Sequence, residues 1–387
     1  MTRAHKIILV ILGIGILTLC GLTLSAAYQL WTQPLGPALN LPTRTYAPPS
    51  TLPPTWTPLA GAQQPTASPA TGTPDPVSET PTPKQARCGG PDQMIILAVG
   101  SDQRGDSYLY GLGDVIRLVR VDFVTPLVTI MSLPRDLYVE IPGISDHYSI
   151  THGKLNQSYL YGNPGFGYYE GADLGPGLMA RTLAHNFGAH PDHYIAVNMQ
   201  TFIKIVDAVD GIVVDLPQAI DASNASDPAN RSDLVFPAGI NYLNGYKALQ
   251  LARLRPYGVF GRVSAQNEVL CGLYDKLVSP NVVGDIPGII NAFRDNVQTD
   301  LSPEDISQLS CLGTQLKGAD IVFLNWNEDT FTGTRVDDPV LGYTFIWDVD
   351  FNLMREYIAA FERGEWLAAA SSTSSGSGDS APKSFCD

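Results

Sequence analysis

The run Ile7–Tyr28, 22 residues without a charge, constrains this chain more than any other feature. It is long enough to cross a bilayer as a helix. Arg3, His5 and Lys6 precede it, and no Lys or Arg follows until Arg44. The positive-inside rule then leaves residues 1–6 as a cytoplasmic tail, makes 7–28 a transmembrane helix and exports the remainder. Single-pass attachment to the cell membrane is the expected localisation. Ser25-Ala26-Ala27 also permits a cleaved signal peptide. The apolar stretch exceeds a usual signal core, which favours a retained anchor. Cys20 follows Leu19 rather than a small residue, so it reads as a membrane-facing thiol and not a lipoprotein site.

Between Pro34 and Pro83 lie 14 of the 30 prolines, mixed with Thr, Ser and Ala. Such a composition cannot bury a core and favours extended conformations, so residues 29–89 read as an extracytoplasmic linker. The segment 369–387 reads as a disordered tail for the same reason. Residues 90–368 remain as the folded domain, enough chain for a substantial core. Four cysteines lie beyond the membrane: Cys88, Cys271, Cys311 and Cys386. Export permits disulfides, and four cysteines allow three pairings. Cys271 and Cys311 fall on expected helices, whereas Cys88 and Cys386 bracket the domain.

Met94–Val99 is a continuous apolar run ending at Gly100, as a buried strand requires. Further strands are expected at Val115–Val121, Leu127–Leu133, Tyr194–Val197, Ile212–Leu216 and Ile321–Leu324. Helices are expected at Leu178–Phe187, Thr201–Val209, Tyr246–Ala252, from Arg262 onward, and at Ile286–Asn296, Pro303–Gln315 and Asn352–Phe361. Tyr161–Gly177 holds six glycines and reads as a mobile loop, and Asn241–Gly245 as a turn. Alternating strands and helices argue for a layered α/β domain.

Charge is distributed unevenly. The chain carries 24 Lys+Arg against 38 Asp+Glu, a formal net charge of −14, which argues against nucleic acid as a partner. Yet Arg253, Arg255 and Arg262 fall within ten residues, followed by Gln266 one helical turn on and with no acid among them. Arginines gathered against the general charge suit a planar or oxygen-rich anion. Asp102, Asp114, Arg135 and Asp136 lie at the ends of expected strands, where open α/β sheets hold ligands. His185, His190 and His193 match no common metal spacing. No G-x-S-x-G element and no P-loop is present.

Together the motifs resemble the LytR-CpsA-Psr family of cell-envelope phosphotransferases. The resemblance rests on GSDQR at Gly100–Arg104, GDVIRLVRV at Gly113–Val121, SLPRDLYVEIPG at Ser132–Gly143 and KLNQSY at Lys154–Tyr159. It continues through the block His193–Pro217, LNGYKALQLARLR at Leu243–Arg255 and GRVSAQ at Gly261–Gln266. It implies a three-layer α/β/α sandwich with a long pocket for a polyprenyl chain. The implied activity moves a glycopolymer phosphate from a polyprenyl-pyrophosphate carrier onto a peptidoglycan sugar hydroxyl, with Mg²⁺ (or Mn²⁺) as cofactor. The membrane, the lipid-linked glycan and peptidoglycan are the implied partners.

By the same resemblance, Asp114 and Asp102 take the metal, and Asp102 also serves in support or acceptor activation. Arg135, Arg253, Arg255 and Arg262 contact pyrophosphate, with Gln266 beside them. Arg104, Asp136, Lys154 and Asn156 occupy substrate-binding motif positions. Three places depart from the pattern: Leu112-Gly113 stands where an Arg-Ser pair is usual, Ala265 replaces an arginine, and an acid is missing near Val259. They leave room for a second reading, a non-catalytic polyprenyl-phosphate-binding envelope protein.

Overall fold

A computed structural model describes residues 23, 25, 28–41, 85–105, 107–221, 234–254, 258–279, 297–324, 326, 330–365 and 386. These residues, apart from residue 85, belong to one compact unit formed by Met1–Leu41 and Ala86–Asp387. The expected helix Ile286–Asn296 and most of the expected span 7–28 lie outside the described residues. Among the described residues no helix is long and apolar enough to cross a membrane.

The strands run β1 (Gln93–Ser101), β2 (Gly113–Asp122), β3 (Leu127–Ser132), β4 (Tyr138–Glu140), β5 (His152–Lys154), β6 (His193–Val197) and β7 (Ile212–Leu216). Then come β8 (Ile220–Asp221), β9 (Val235–Phe236), β10 (Gly239–Leu243), β11 (Gln298–Thr299), β12 (Ile321–Leu324), β13 (Thr332–Asp338) and β14 (Gly342–Asp348). The helices are α1 (Leu155–Gly162), α2 (Leu174–Phe187), α3 (Met199–Ala208) and α4 (Gly245–Arg253). They continue with α5 (Gly258–Val278), α6 (Pro303–Gly313) and α7 (Phe351–Arg363).

A six-stranded mixed sheet in the order β11-β6-β1-β2-β3-β12 organises the fold. Strands β1, β2 and β3 form an antiparallel meander, while β6 runs parallel to β1 and β12 parallel to β3. Hence the C-terminal ends of β1, β3, β6 and β12 and the N-terminal end of β2 share one rim. Side-chain alternation splits the sheet into two apolar faces. Ile95, Leu97 and Val99 pack with Leu155 and Tyr159 of α1 and Leu178 and Leu183 of α2. Met94, Ile96 and Val121 pack with Leu312 of α6 on the other side. A second core joins β7, β10, α3, α4 and α5. The α/β class read from the sequence is thus what the chain adopts.

Two expectations are corrected by long-range contacts. The glycine-rich stretch Tyr161–Gly177 is not one mobile loop, because α1 extends through Gly162 and α2 begins at Leu174. Its glycines serve close helix packing. A Cβ on Gly162 would stand 2.7 Å from the Leu174 carbonyl oxygen, and one on Gly175 would stand 2.8 Å from that of Tyr159. Asn241–Leu243 is strand rather than turn, held by antiparallel pairing with Ile212–Val214. The turn shrinks to Asn244, which caps α4 by accepting from the Lys247 N–H at 2.9 Å.

The cysteines pair Cys88 with Cys311 and Cys271 with Cys386. Each helical cysteine therefore joins a flanking one, and the two helical cysteines are not bonded to each other. Cys386, within the tail expected to be disordered, is buried, and its N–H donates to Gly318 O at 3.2 Å. Part of the expected linker is also held in place. Leu35 N donates to Leu301 O at 3.1 Å, and Asn40 N to the buried Asp173 carboxylate at 3.0 Å.

Candidate active site

The rim collects the charged residues released by the strands. Asp102 leaves β1 and Asp114 enters β2 two residues into the neighbouring strand. The two are coupled through one peptide: the Leu112 carbonyl accepts from Asp102 N at 3.0 Å and from Asp114 N at 3.1 Å. The Leu112 N–H donates to Asp102 Oδ1 at 2.7 Å. Leu112, at a position where the resemblance expects arginine, thus acts here through its backbone. Burial raises the Asp102 pKa, opposed by the Leu112 hydrogen bond, and the Asp114 charge adds to the rise.

Beyond β3, Arg135 reaches back to form an ion pair with Asp114 and also contacts Asp136 at 3.3 Å. Lys154 Nζ donates to the other Asp136 oxygen at 2.9 Å. Asn156 Nδ2 donates to Asp114 Oδ1 at 3.2 Å. Local backbone bonds set this arrangement. The start of α1 is tied to the loop after β3 by Leu155 N to Leu137 O at 2.8 Å and Asn156 N to Arg135 O at 3.1 Å. Lys154 N donates to Gln157 Oε1 at 2.7 Å, completing the helix start. Burial opposes the charge on Arg135, yet Asp114 and Asp136 outweigh it and raise its pKa. Burial would likewise raise Asp136, but Lys154 and Arg135 hold it below the ordinary carboxylate range. The chain Asp114–Arg135–Asp136–Lys154 is internally neutral.

Opposite it stands α5. Arg262, Val263 and Gln266 line the same pocket as Asp114, Arg135 and Asp136. Gln266 Nε2 donates to Ala252 O at 3.2 Å, tying α5 to the end of α4. Ala265 is buried in the second core, so its small side chain there is a packing residue. A neighbouring, more open pocket is lined by Asp102, Arg104 and Leu112, with Arg104 exposed. Arg253 is half-buried as the last residue of α4 and is not among the lining residues of either pocket. Arg255 lies outside the described residues.

Sequence reasoning passed over Arg117 as a functional residue. It also lines the pocket, and it is almost wholly buried. Its signal was an arginine interrupting the apolar strand GDVIRLVRV. Arg120, in the same strand, is spent elsewhere: it contacts Gln93, Asp122 and the Glu362 carbonyl.

Asp102 and Asp114 are the carboxylates here that could offer oxygen to a divalent hard cation. Among the described residues there is no cluster of three His, Cys, Asp or Glu able to hold a metal. Two carboxylates, Asp102 and Asp114, however, feel each other's charge across Leu112-Gly113. Magnesium commonly uses one or two carboxylates together with substrate phosphates and water.

A mixed sheet with a charged rim, roofed by an arginine-bearing helix, defines a layered α/β domain. The LytR_cpsA_psr family model matches residues 70–342, and the chain belongs to that family. Over 220 residues it is 30% identical to the regulatory protein MsrR of Staphylococcus aureus, covering 56% of this chain and 59% of MsrR. Over 232 residues it is 31% identical to a protein of Oceanobacillus iheyensis, covering 59% of this chain and 64% of that one. That relative is named polyisoprenyl-teichoic acid–peptidoglycan teichoic acid transferase TagU. The match thus spans less than two thirds of either relative. Among solved structures, B. subtilis TagV superposes with a TM-score of 0.54 at 23% identity, covering 71% of this chain and 98% of TagV. Lin1025 of Listeria innocua gives 0.51 at 25% identity, covering 70% and 98%.

Proposed function

We propose that the protein is a membrane-anchored phosphotransferase of the cell envelope. It would move a glycopolymer phosphate from a polyprenyl-pyrophosphate carrier to a peptidoglycan sugar hydroxyl outside the membrane. The observation that carries this reading is the pocket that Arg135 and Arg262 line together with Asp114. Paired arginines stabilise the charge that spreads over phosphoryl oxygens during transfer. The name of the Oceanobacillus TagU supports the polymer class.

In this reading Arg135, held by Asp114 and Asp136, presents a preset guanidinium to the pyrophosphate. Arg262 approaches from α5 and Arg253 adds charge from the end of α4, while the family resemblance assigns Arg255 to the same pyrophosphate. Lys154 keeps Asp136 ionised, and Asn156 fixes the Asp114 carboxylate. Asp102 supports Asp114 or takes the acceptor hydroxyl's proton. Magnesium held by Asp102 and Asp114 would neutralise pyrophosphate oxygens when bound. Manganese suits the same oxygen ligands.

The test uses the full chain in detergent with polyprenyl pyrophosphate and Mg²⁺. Phosphate release that EDTA abolishes, and that D114N lowers by about a hundredfold, is expected for the loss of one transition-state contact. No release, beside an active family member, would sink the reading. The packing of Ala265 into the second core keeps one alternative in view, a non-catalytic polyprenyl-phosphate binder. It would co-purify with lipid and show no turnover.

A further inference from the structure

Arg117 lies on the opposite face of β2 from Asp114, since alternate strand residues point apart. Its guanidinium is roofed by α5. Nη1 donates to Asn267 Oδ1 at 2.8 Å and Nη2 to Gln266 Oε1 at 3.3 Å. The Phe323 ring of β12 covers it with a centroid 5.9 Å away. No carboxylate among the described residues pairs with it, and its buried Nε has no acceptor. Only 3% of the residue is exposed. Burial lowers its pKa to about 10, which leaves it protonated at neutral pH.

A buried, uncompensated cation is costly unless some anion completes it. The other basic groups of this rim whose partners are described are matched by carboxylates: Arg135 by two aspartates and Lys154 by Asp136. Arg117 alone among them is held by neutral amides. It nevertheless lines the pocket shared by Asp114, Arg135 and Arg262. The amides orient the fork without cancelling its charge.

We propose that Arg117 is an anion-binding residue of this pocket, its uncompensated charge reserved for the diphosphate head of the ligand. The inference rests on the pyrophosphate reading above and adds to it a residue that reaches the pocket from the far face of the sheet. Arg117 thereby selects for a doubly charged diphosphate over a neutral or singly charged head group.

The experiment titrates inorganic pyrophosphate, with Mg²⁺, into the full chain in detergent, and records thermal unfolding of each variant without ligand. R117M is expected to bind at least tenfold more weakly, with R117K recovering part of the loss. Its melting temperature without ligand should equal or exceed that of the wild type, because a desolvated charge has been removed. N267D supplies the missing carboxylate without removing the arginine. It should raise the melting temperature and weaken pyrophosphate binding at least tenfold. Unchanged affinity in R117M and N267D, beside wild-type binding, overturns the inference alone. Absence of binding by the wild type overturns the pyrophosphate reading and this inference with it.

Discussion

Asp114 and Arg135 form an ion pair across the ends of two antiparallel strands, 21 residues apart in sequence. Both side chains are mostly buried, at 22% and 23% exposure, so the pair is shielded from the screening that weakens surface ion pairs. Arg135→Ala leaves two half-buried carboxylates without their shared guanidinium. We expect a loss of about 1–3 kcal/mol in stability and, on the proposed function, a fall of about a hundredfold or more in turnover. Arg135→Lys keeps the charge but loses the fork, so it should recover stability better than activity. Urea unfolding alongside turnover checks this; equal recovery of both would contradict it.

Gly162 tests the closeness of α1 and α2. A methyl group there meets the backbone of Leu174 and Gly175, which has nowhere to yield. Gly162→Ala should therefore destabilise by about 1–3 kcal/mol, seen as a lower urea midpoint at unchanged slope. A wild-type midpoint would mean that the helices can part without penalty.

The Cys271–Cys386 bond closes a loop of sequence separation 115. Closing so long a loop restricts the unfolded chain strongly. Cys386→Ser should cost about 3–5 kcal/mol. Calorimetry of the variant against the oxidised wild type reads this directly, and equal melting temperatures would refute it.

His193 supplies a pH dependence remote from the active site. Its Nδ1 lies 3.5 Å from Asp300 Oδ1, and Asp300 also accepts from the Tyr194 N–H at 2.8 Å. Burial lowers the His193 pKa, but Asp300, aided by the charges of Asp305 and Asp192, outweighs it and raises the value overall. A raised folded pKa means that the protonated pair contributes its full stability below the unfolded value of about 6.5. That contribution disappears as pH rises through the higher folded value. Wild type minus His193→Asn should thus show a stability difference that declines on going from about pH 6 to pH 8.5. A difference that is flat with pH would rule the pair out as a contributor.

What the sequence determined by itself was local. Apolar runs located β1 and β12, because a strand buried on both faces is written in apolar residues over most of its length. The charged residues that flank β1, β2 and β3 could be assigned to strand ends, since the extent of a strand is a local property. Asp102, Asp114, Arg135 and Asp136 were therefore legible as a set. Tertiary structure alone decided the rest. Spacing could not say that Cys311 faces Cys88, because loop closure is nearly indifferent to which distant partner is chosen. Nor could it distinguish glycines that loosen a loop from Gly162 and Gly175, which let two helices touch. Arg117 and Arg120 look alike in GDVIRLVRV, yet they point to opposite faces of β2. One meets Asp122 and Gln93; the other is sealed beneath α5 with no carboxylate partner among the described residues. The difference lies in what packs above each face, a matter of residues some 150 to 240 positions away.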